Sequence, residues 1–346
     1  MKLALFDYEL PKRLIAQYPS RRRDQSRLMV LDRSTGEIFH RKFSHILDYL
    51  NAGDALVINN TKVFKARLLG KRTTGGRAEI FLVRTLDMAK GELWEALAQP
   101  SRRLKPGERI TFSTEDSIRL DSYLGDGRWR VAFHSRTARQ RIIARYGHVP
   151  LPQYIDREDT PTDLRRYQTI FARADQTCAV AAPTAGFHFT RALLDNIRSR
   201  GVTVCEVTLH VGPGTFKPIT AGEIEEHTVD PECAVLPEDV ARELNQIRER
   251  GGRVFAVGTT SVRTLESAPS ITGEMLPFAG MVDLYIRPGH QFQVVDHLVT
   301  NFHLPKSSLL VLVSAFAGRE LILEAYGEAV RQQYRFYSYG DAMLIL

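Results

Sequence analysis

The chain is poor in cysteine, which excludes several kinds of site. Three cysteines, Cys178, Cys205 and Cys233, occur among 346 residues, and no two of them have the C-x-x-C spacing of a zinc or redox centre. A Walker sequence and a Ser-His-Asp order are also missing. Because free thiols are typical of reducing compartments, we expect a cytoplasmic protein that binds no metal.

Long apolar runs are also scarce. The longest, at residues 309–317, is far shorter than the roughly 20 residues that a bilayer crossing needs. The N-terminal segment contains Asp7 and Glu9, which is untypical of a secretory signal. We therefore expect neither a membrane span nor a signal peptide, and the length allows two globular domains.

Positive charge is concentrated in the first part of the chain. Residues 1–150 carry 29 Lys and Arg against 16 Asp and Glu, whereas residues 151–346 carry 18 against 24. The formal charges of the two parts are therefore +13 and −6. Because phosphate neutralisation requires concentrated Lys and Arg, the split favours a nucleic-acid partner over a merely solvated basic surface.

Short segments with β-strand character fill residues 56–133. They are separated by glycine-containing turns and lie at 56–67, 78–84, 92–98, 109–112, 117–123 and 128–133. Several short strands without intervening helical patterns predict a small barrel or sandwich. The proline-rich turn at 149–152 indicates a boundary after them.

Strand and helix patterns alternate beyond that turn. Thr190 can cap a helix at 191–200, Pro288 and Gly289 predict a hairpin, and further helices are expected at 237–250, 261–267, 307–316 and 320–333. The alternation predicts a sandwich-like α/β domain with a mostly parallel sheet. Since residues 1–59 contain their own helix and strand patterns, we assign 1–59 plus 151–346 to this domain and 60–150 to an inserted β-barrel.

Four loops that follow strand-like segments have a composition suited to a nucleoside-like ligand. They lie at 182–189, 209–216, 258–263 and 300–305, and loops at the carboxyl ends of strands can converge on one crevice. Glycine permits close approach, Thr and Asn can bond ribose hydroxyls, and aromatic rings can stack a base or face a sulfonium. The candidate binding residues are Gly186, Phe187, Gly212, Gly214, Thr215, Phe216, Thr259, Thr260, Arg263, Asn301 and Phe302.

Longer motifs in and around these loops resemble one known family. They are DQSRL at 24–28, NNTKVFKARL at 59–68, AAPTAG at 181–186, HVG at 210–212, GTTSVR at 258–263, NFHLPK at 301–306 and YGDAM at 339–343. Over essentially its whole length the chain resembles the S-adenosylmethionine:tRNA ribosyltransferase-isomerases of queuosine synthesis. It departs from their usual pattern at Cys178, Phe187 and Asp230, the last standing where a histidine is typical.

The resemblance implies a reaction between S-adenosylmethionine and a tRNA. The ribosyl carbons would move to the aminomethyl group of a 7-deazaguanine at the wobble position, with loss of adenine and methionine and formation of epoxyqueuosine. Histidine can carry protons in either direction near neutral pH. We therefore predict catalytic roles for His188, His210 and His303, with Thr184 orienting the sugar, and the sequence leaves open which histidine is the base.

The tRNA contacts are expected at basic residues near the start and in the insertion. The anticodon loop is single-stranded, so its base can be splayed out and stacked, with Tyr154, Tyr167 or Phe171 as candidates. The predicted contacts are Arg21, Arg22, Arg23, Arg67, Lys71, Arg72, Arg102, Arg103 and Lys105. We expect a monomer.

Two other functions stay open at this point. A non-catalytic RNA-binding protein explains the charge split but not the four loops. An S-adenosylmethionine-dependent RNA methyltransferase would produce S-adenosylhomocysteine instead of adenine.

Overall fold

Two large β-sheets organise the part of the chain that the structure describes. This computed structural model describes residues 1–87, 90, 92–216 and 218–346, and the side chains of Thr215 and Phe216 lie outside that description. Numbered in chain order, the strands are β1 Arg27–Leu31, β2 Ile38–Lys42, β3 Ala55–Asn59, β4 Lys62–Val63, β5 Arg67–Arg72, β6 Arg77–Thr85, β7 Leu93–Gln99, β8 Arg109–Thr111, β9 Ser117–Gly125, β10 Arg128–Ala132, β11 Gly147–His148, β12 Thr177–Ala179, β13 Thr203–Leu209, β14 Glu232–Leu236, β15 Val254–Val257, β16 Ser270–Ile271, β17 Glu274–Met275, β18 Phe278–Val282, β19 His297–Asn301 and β20 Ala342–Ile345. The α-helices are α1 Arg136–Tyr146, α2 Asp163–Arg166, α3 Arg191–Ser199, α4 Glu238–Glu249, α5 Thr259–Glu266, α6 Ser308–Ala317 and α7 Arg319–Arg331.

The larger sheet has the strand order β18-β14-β13-β3-β15-β19-β20-β1-β2. Its central strands β13, β3, β15 and β19 are parallel, which confirms the predicted α/β fold. The sheet is mixed rather than mostly parallel, however, because β14, β18, β20 and β2 each have an antiparallel neighbour. The β1–β2 link is short, and a short hairpin can join only antiparallel strands.

Both faces of this sheet are covered. Along β1, Leu28 and Val30 enter one hydrophobic core, whereas Met29 and Leu31 enter the other, because successive side chains of a strand point to opposite faces. Helix α3 packs on the first face, and Thr190 caps it as predicted, accepting a hydrogen bond from the Leu193 amide. Helices α4 to α7 cover the second face.

The second sheet closes into a barrel. Strands follow the order β5-β6-β7-β10-β9-β8, and the pairing of β5 with β8 completes a ring of six strands. Ala78, Ile80 and Leu82 of β6 point into the barrel core, while the residues between them face outward. This confirms that the β-rich segment forms a barrel.

Two details of the sequence prediction are wrong. The expected strand at 56–67 is split among β3, β4 and the start of β5. Strand β3 ends at Asn59, whose side-chain amide bonds the backbone of Leu209 at the end of the neighbouring strand β13. The expected hairpin at Pro288-Gly289 does not form, since β18 pairs with β14 and β19 lies between β15 and β20. Over the ranges described above, no helix combines the length and apolarity that crossing a membrane requires.

Candidate active site

The four predicted loops meet in one crevice at the large sheet. It is lined by Thr184 and Ala185 of the first loop, Val211 of the second, Gly258, Thr259 and Thr260 of the third, and Thr300, Asn301 and His303 of the fourth. Tyr337 and Ser338 complete the wall. Among the described residues, no Asp, Glu, Lys or Arg lines this crevice, so its polar groups are hydroxyls, one amide and one imidazole, which suit the hydroxyls of a sugar.

The crevice is narrow in this structure. Its volume is about 40 Å³, whereas pockets for small molecules usually span about 300–1,000 Å³. The space between the loops in this structure is therefore smaller than that of a usual small-molecule pocket. Gly258 shapes one of them, because its φ of 88° lies in the left-handed region and starts helix α5 directly beside the crevice.

Asn301 is held by a chain of hydrogen bonds behind the crevice. Thr184 Oγ1 donates to Asn301 Oδ1 over 2.9 Å, and Asn301 Nδ2 lies 3.2 Å from His188 Nε2. His188 Nδ1 lies 2.7 Å from Ser26 Oγ, which in turn donates to the Arg23 carbonyl over 3.1 Å. An amide nitrogen only donates, so Nε2 of His188 is the acceptor and Nδ1 carries the proton.

His188 therefore positions Asn301 and does not line the crevice. The ring is buried, and burial lowers its pKa to about 4. A neutral ring with both nitrogens bonded suits a fixed relay of hydrogen bonds. Its role in proton transfer stays a prediction that the geometry does not favour.

His303 is the predicted histidine that lines the crevice. Its Nε2 lies 2.8 Å from Thr300 Oγ1, and its backbone amide donates to Tyr326 Oη over 3.0 Å. The backbone carbonyl accepts from Tyr8 Oη. Burial lowers the pKa of the ring to about 3, so His303 is neutral at pH 7 and rigidly held.

His210 lies beside the crevice rather than in its lining. Its Nδ1 is 2.8 Å from Thr61 Oγ1, and its amide donates to the Cys233 carbonyl over 2.9 Å. Burial lowers its pKa. The three histidines are thus not brought to a single point.

Arg263 braces the second loop instead of facing a ligand. The guanidinium is buried, pairs with Glu232, and donates to the carbonyls of Leu284 and Val282 over 3.1 Å each. The other oxygen of Glu232 accepts from the Gly212 amide over 2.7 Å. The predicted ligand residues Arg263 and Gly212 are therefore engaged with the protein itself.

Several other predicted ligand residues have packing roles. A Cβ at Gly186 would collide with Phe171 and Thr169, and a Cβ at Gly214 would collide with Asp230. Phe302 is fully buried among Tyr326, Tyr334 and Phe336, and Phe187 packs on Tyr167 and Tyr339. The structure does not bring these four to the crevice, and the side chains of Thr215 and Phe216 lie outside the described part.

A larger cleft adjoins the crevice. It has a volume of about 710 Å³ and lies between barrel strands β5 to β7 and the segment 150–158. Val180 and Ala181 line the cleft, and the next residues, Ala182 and Pro183, line the crevice. The two hollows are therefore neighbours along one short stretch of chain.

Comparison with known proteins shows the family of the chain. The queuosine biosynthesis protein family matches residues 3–345. The chain belongs to this family. It is 48% identical over 346 residues, covering all of both chains, to the S-adenosylmethionine:tRNA ribosyltransferase-isomerase of Aquifex aeolicus, and 48% identical over 350 residues, again covering all of both, to that of Symbiobacterium thermophilum.

A solved structure shares the fold. The crystal structure of the S-adenosylmethionine tRNA ribosyltransferase from Thermotoga maritima has a TM-score of 0.56 and 39% sequence identity to this chain. The alignment covers 99% of this chain and 100% of that one. This chain and that structure therefore share one fold over nearly their whole lengths.

The predicted RNA contacts fall into two groups. Three are engaged by the protein: Arg23 donates to the carbonyls of Phe187 and Gln168, Arg67 pairs with Glu79, and Arg72 pairs with Glu108. The others have exposed side chains and are Arg21, Arg22, Lys71, Arg102, Arg103 and Lys105. Arg22 lies 3.5 Å from Asp24.

Sequence reasoning assigned no role to several residues of the site. Ser26 and Thr61 lie within the motifs that carry the resemblance, but only the fold places them against His188 and His210. Glu232 and Tyr337 carry no local sequence signal. Within the described ranges, no group of three or more His, Cys, Asp or Glu is placed to hold a metal ion.

Proposed function

We propose that this protein is an S-adenosylmethionine:tRNA ribosyltransferase-isomerase of queuosine synthesis. The observation that carries the proposal is 48% identity along the entire chain to relatives of that name. The neutral crevice supports it by offering hydroxyl and amide groups to a sugar. The adjoining cleft supports it by offering room for a second substrate.

The proposed reaction transfers the ribosyl group of S-adenosylmethionine to a modified base. The acceptor is the amino nitrogen of 7-aminomethyl-7-deazaguanine at the wobble position of a tRNA, and the product is epoxyqueuosine-tRNA. The glycosidic bond to adenine and the ribosyl C–S bond to methionine break, while the acceptor nitrogen forms a new C–N bond and the ribosyl carbons and oxygens close into the epoxycyclopentanediol. A base removes a proton from the carbon beside the sulfonium and the amine gives up another; one of the two leaves with adenine and the other goes to solvent.

Different residues of the crevice would transfer protons and hold the ribose. His303 is the histidine best placed to exchange a proton, since it lines the crevice and its neutral ring has one donor and one acceptor nitrogen. Thr184, Thr259, Thr260 and Asn301 would hold the ribose oxygens. His188 would keep Asn301 in its orientation.

The tRNA would bind across the barrel. We assign residues 60–150 to an inserted barrel domain and residues 1–59 plus 151–346 to the α/β domain. Lys71, Arg102, Arg103 and Lys105 would contact phosphates, because their charged groups are exposed.

One chain forms both the crevice and the cleft, so a monomer would be sufficient for the reaction. We place this monomer in the cytoplasm.

Product analysis tests this function directly. The purified chain is incubated with S-adenosylmethionine and either precursor tRNA or the same tRNA lacking the modified base. Adenine and methionine should appear only with precursor tRNA. S-adenosylhomocysteine would instead identify a methyltransferase, and no small product with either RNA would favour a non-catalytic RNA-binding protein.

Histidine replacement tests the assignment of roles. His303→Ala should abolish adenine release at saturating substrates, whereas His134→Ala, an exposed position on the barrel side, should leave it unchanged. Normal turnover in His303→Ala would contradict the role of His303 without affecting the proposed function.

A further inference from the structure

On the outer face of the barrel, five side chains from three neighbouring strands line the cleft. In the paired strands β5, β6 and β7, Arg67 lies opposite Phe81 and Phe81 opposite Leu97. Glu79 lies opposite Gln99 in the neighbouring row. All five side chains line the cleft, because residues two apart on a strand share a face.

Phe81 is at the centre of this face. Arg67 flanks it on one strand and Leu97 on the other. Its ring faces outward from β6 and is half-buried by packing against neighbouring apolar residues, so it is held in place while it still borders the cleft. An aromatic ring held on a sheet surface is a common platform for an unstacked base in single-stranded RNA.

The charges of the cleft do not suit a phosphate. Its lining contains three carboxylates, Glu79, Asp156 and Glu158, against two guanidinium groups, Arg67 and Arg157. Both guanidinium groups are already paired, Arg67 with Glu79 over 2.8 Å and Arg157 with Asp163 over 2.8 Å. A surplus of acceptors favours a ligand that presents N–H donors.

Glu79 has acceptor capacity left. Its Oε2 accepts from Arg67 Nη2, and no donor among the described residues bonds its Oε1. About a third of the side chain is exposed. Nearby, Nε of Arg67 is a buried donor that bonds no acceptor in the part of the chain described. Free acceptor and donor positions thus lie side by side next to the ring of Phe81.

We propose that this face is the subsite that reads the target base of the RNA, a guanine-type base. The ring stacks on Phe81. The carboxylate of Glu79 accepts from the ring N–H and the exocyclic amino group, which are adjacent donors on the pyrimidine edge of guanine. Adenine presents an acceptor in place of that ring N–H, so Glu79 would select against it.

This subsite deepens the proposed function and rests on it. The cleft meets the crevice where Ala181 is followed by Ala182. A base bound in the cleft that Phe81 lines and a ribosyl group bound by Thr184 and Asn301 would therefore occupy neighbouring hollows. The acceptor base would be bound in the cleft and the ribosyl donor in the crevice.

Base selectivity tests the subsite separately from catalysis. Fluorescently labelled anticodon stem-loops with guanosine or adenosine at the wobble position are titrated with the full chain, without S-adenosylmethionine. For Glu79→Gln, affinity for the guanosine stem-loop should fall about 5- to 150-fold, the range for one bidentate base contact. Affinity for the adenosine stem-loop should not change.

Two further variants complete the test. Glu115→Gln makes the same charge change at an exposed barrel position outside the cleft and should keep the preference for guanosine. Phe81→Leu retains an apolar side chain but removes the ring, so both stem-loops should bind about 5- to 150-fold more weakly. It keeps the subsite testable if Glu79→Gln does not fold.

The outcomes are distinct. Unchanged selectivity in Glu79→Gln, or equal loss for both stem-loops, would overturn the reading role of Glu79. Full binding of both stem-loops by Phe81→Leu would overturn the stacking role. Adenine release by the wild-type chain would still stand in each case, so failure of the subsite is separable from failure of the proposed function.

Discussion

Arg128 donates a hydrogen bond to Asp230 over 2.8 Å and so ties barrel strand β10 to the loop before β14. The same guanidinium pairs with Glu95, which also accepts from Arg84 over 2.7 Å. Asp230 in addition packs against Gly214, where a side chain would collide with it. Asp230 is thus a structural link between the barrel and the second loop.

Asp230→Asn should weaken this link without affecting chemistry. The pair is partly exposed, so the free energy of unfolding should fall by about 1 kcal/mol or less. A similar loss in tRNA binding would raise KM for tRNA about fivefold, with kcat unchanged. Asp121→Asn, which removes barrel-surface pairs with Arg119 and Arg130, is the control. A collapse of kcat at constant KM would mean that Asp230 carries a proton.

Glu232→Gln should destabilise the fold strongly. Glu232 and Arg263 are both buried, and removing one charge leaves the other buried and unpaired, at a cost of about 3–5 kcal/mol. Urea unfolding followed by circular dichroism measures the change. The double variant Glu232→Gln/Arg263→Met removes both charges and should recover part of the loss. A single variant as stable as the wild type would contradict the described pair.

Asn301→Ala should reduce turnover while leaving the fold intact. The change removes the amide that Thr184 and His188 hold at the crevice, and misplacement of a substrate by about 1 Å can cost about 100-fold in rate. Single-turnover adenine release at saturating substrate is the measurement. Asn196→Ala on the exposed face of α3 is the matched control. Equal rates for both variants would remove Asn301 from the site.

Stability should fall as the pH drops below about 6.5, the ordinary histidine value. Burial lowers the pKa of His188 to about 4 and that of His303 to about 3. On acidification the unfolded chain therefore binds protons first, so stability is full above pH 6.5 and declines toward pH 4. The slope should reach about 1.4 kcal/mol per pH unit for each histidine.

His188→Gln isolates one of these contributions. Between pH 6.5 and 4, the slope of its unfolding free energy against pH should be smaller than that of the wild type by about 1.4 kcal/mol per pH unit, because one titrating histidine is missing. Urea midpoints measured across this window for both proteins give the comparison. Identical pH dependence would show that His188 does not titrate differently in the folded state.

Removing an exposed barrel cation should change the salt dependence of RNA binding. If Arg102 contacts a phosphate, Arg102→Ala should reduce the slope of log K against log salt by about 0.7–0.9. Arg72→Ala would not report on phosphate contact, because Arg72 is paired with Glu108. Arg250→Ala, an exposed change at the end of α4, is the control. An unchanged slope would place Arg102 outside the RNA contact.

Local patterns predicted much of the fold. The cap at Thr190 located helix α3, and the short β segments separated by glycine-containing turns located the strands of the barrel. These features depend on residues close in sequence, so they can be inferred from periodicity. The mixed strand order of the large sheet could not be inferred from periodicity, because β19 pairs with β20 and these two segments lie about 40 residues apart in the chain.

The sequence by itself determined the family, the barrel-forming segment and the four loops that line the crevice, since each is carried by contiguous residues. Only the tertiary structure decided what individual side chains do there. In that structure Ser26 bonds His188, Arg263 pairs with Glu232, and His303 lines the crevice. The reason is that burial and hydrogen-bond partners set the role of a polar group, and those partners come from distant parts of the chain.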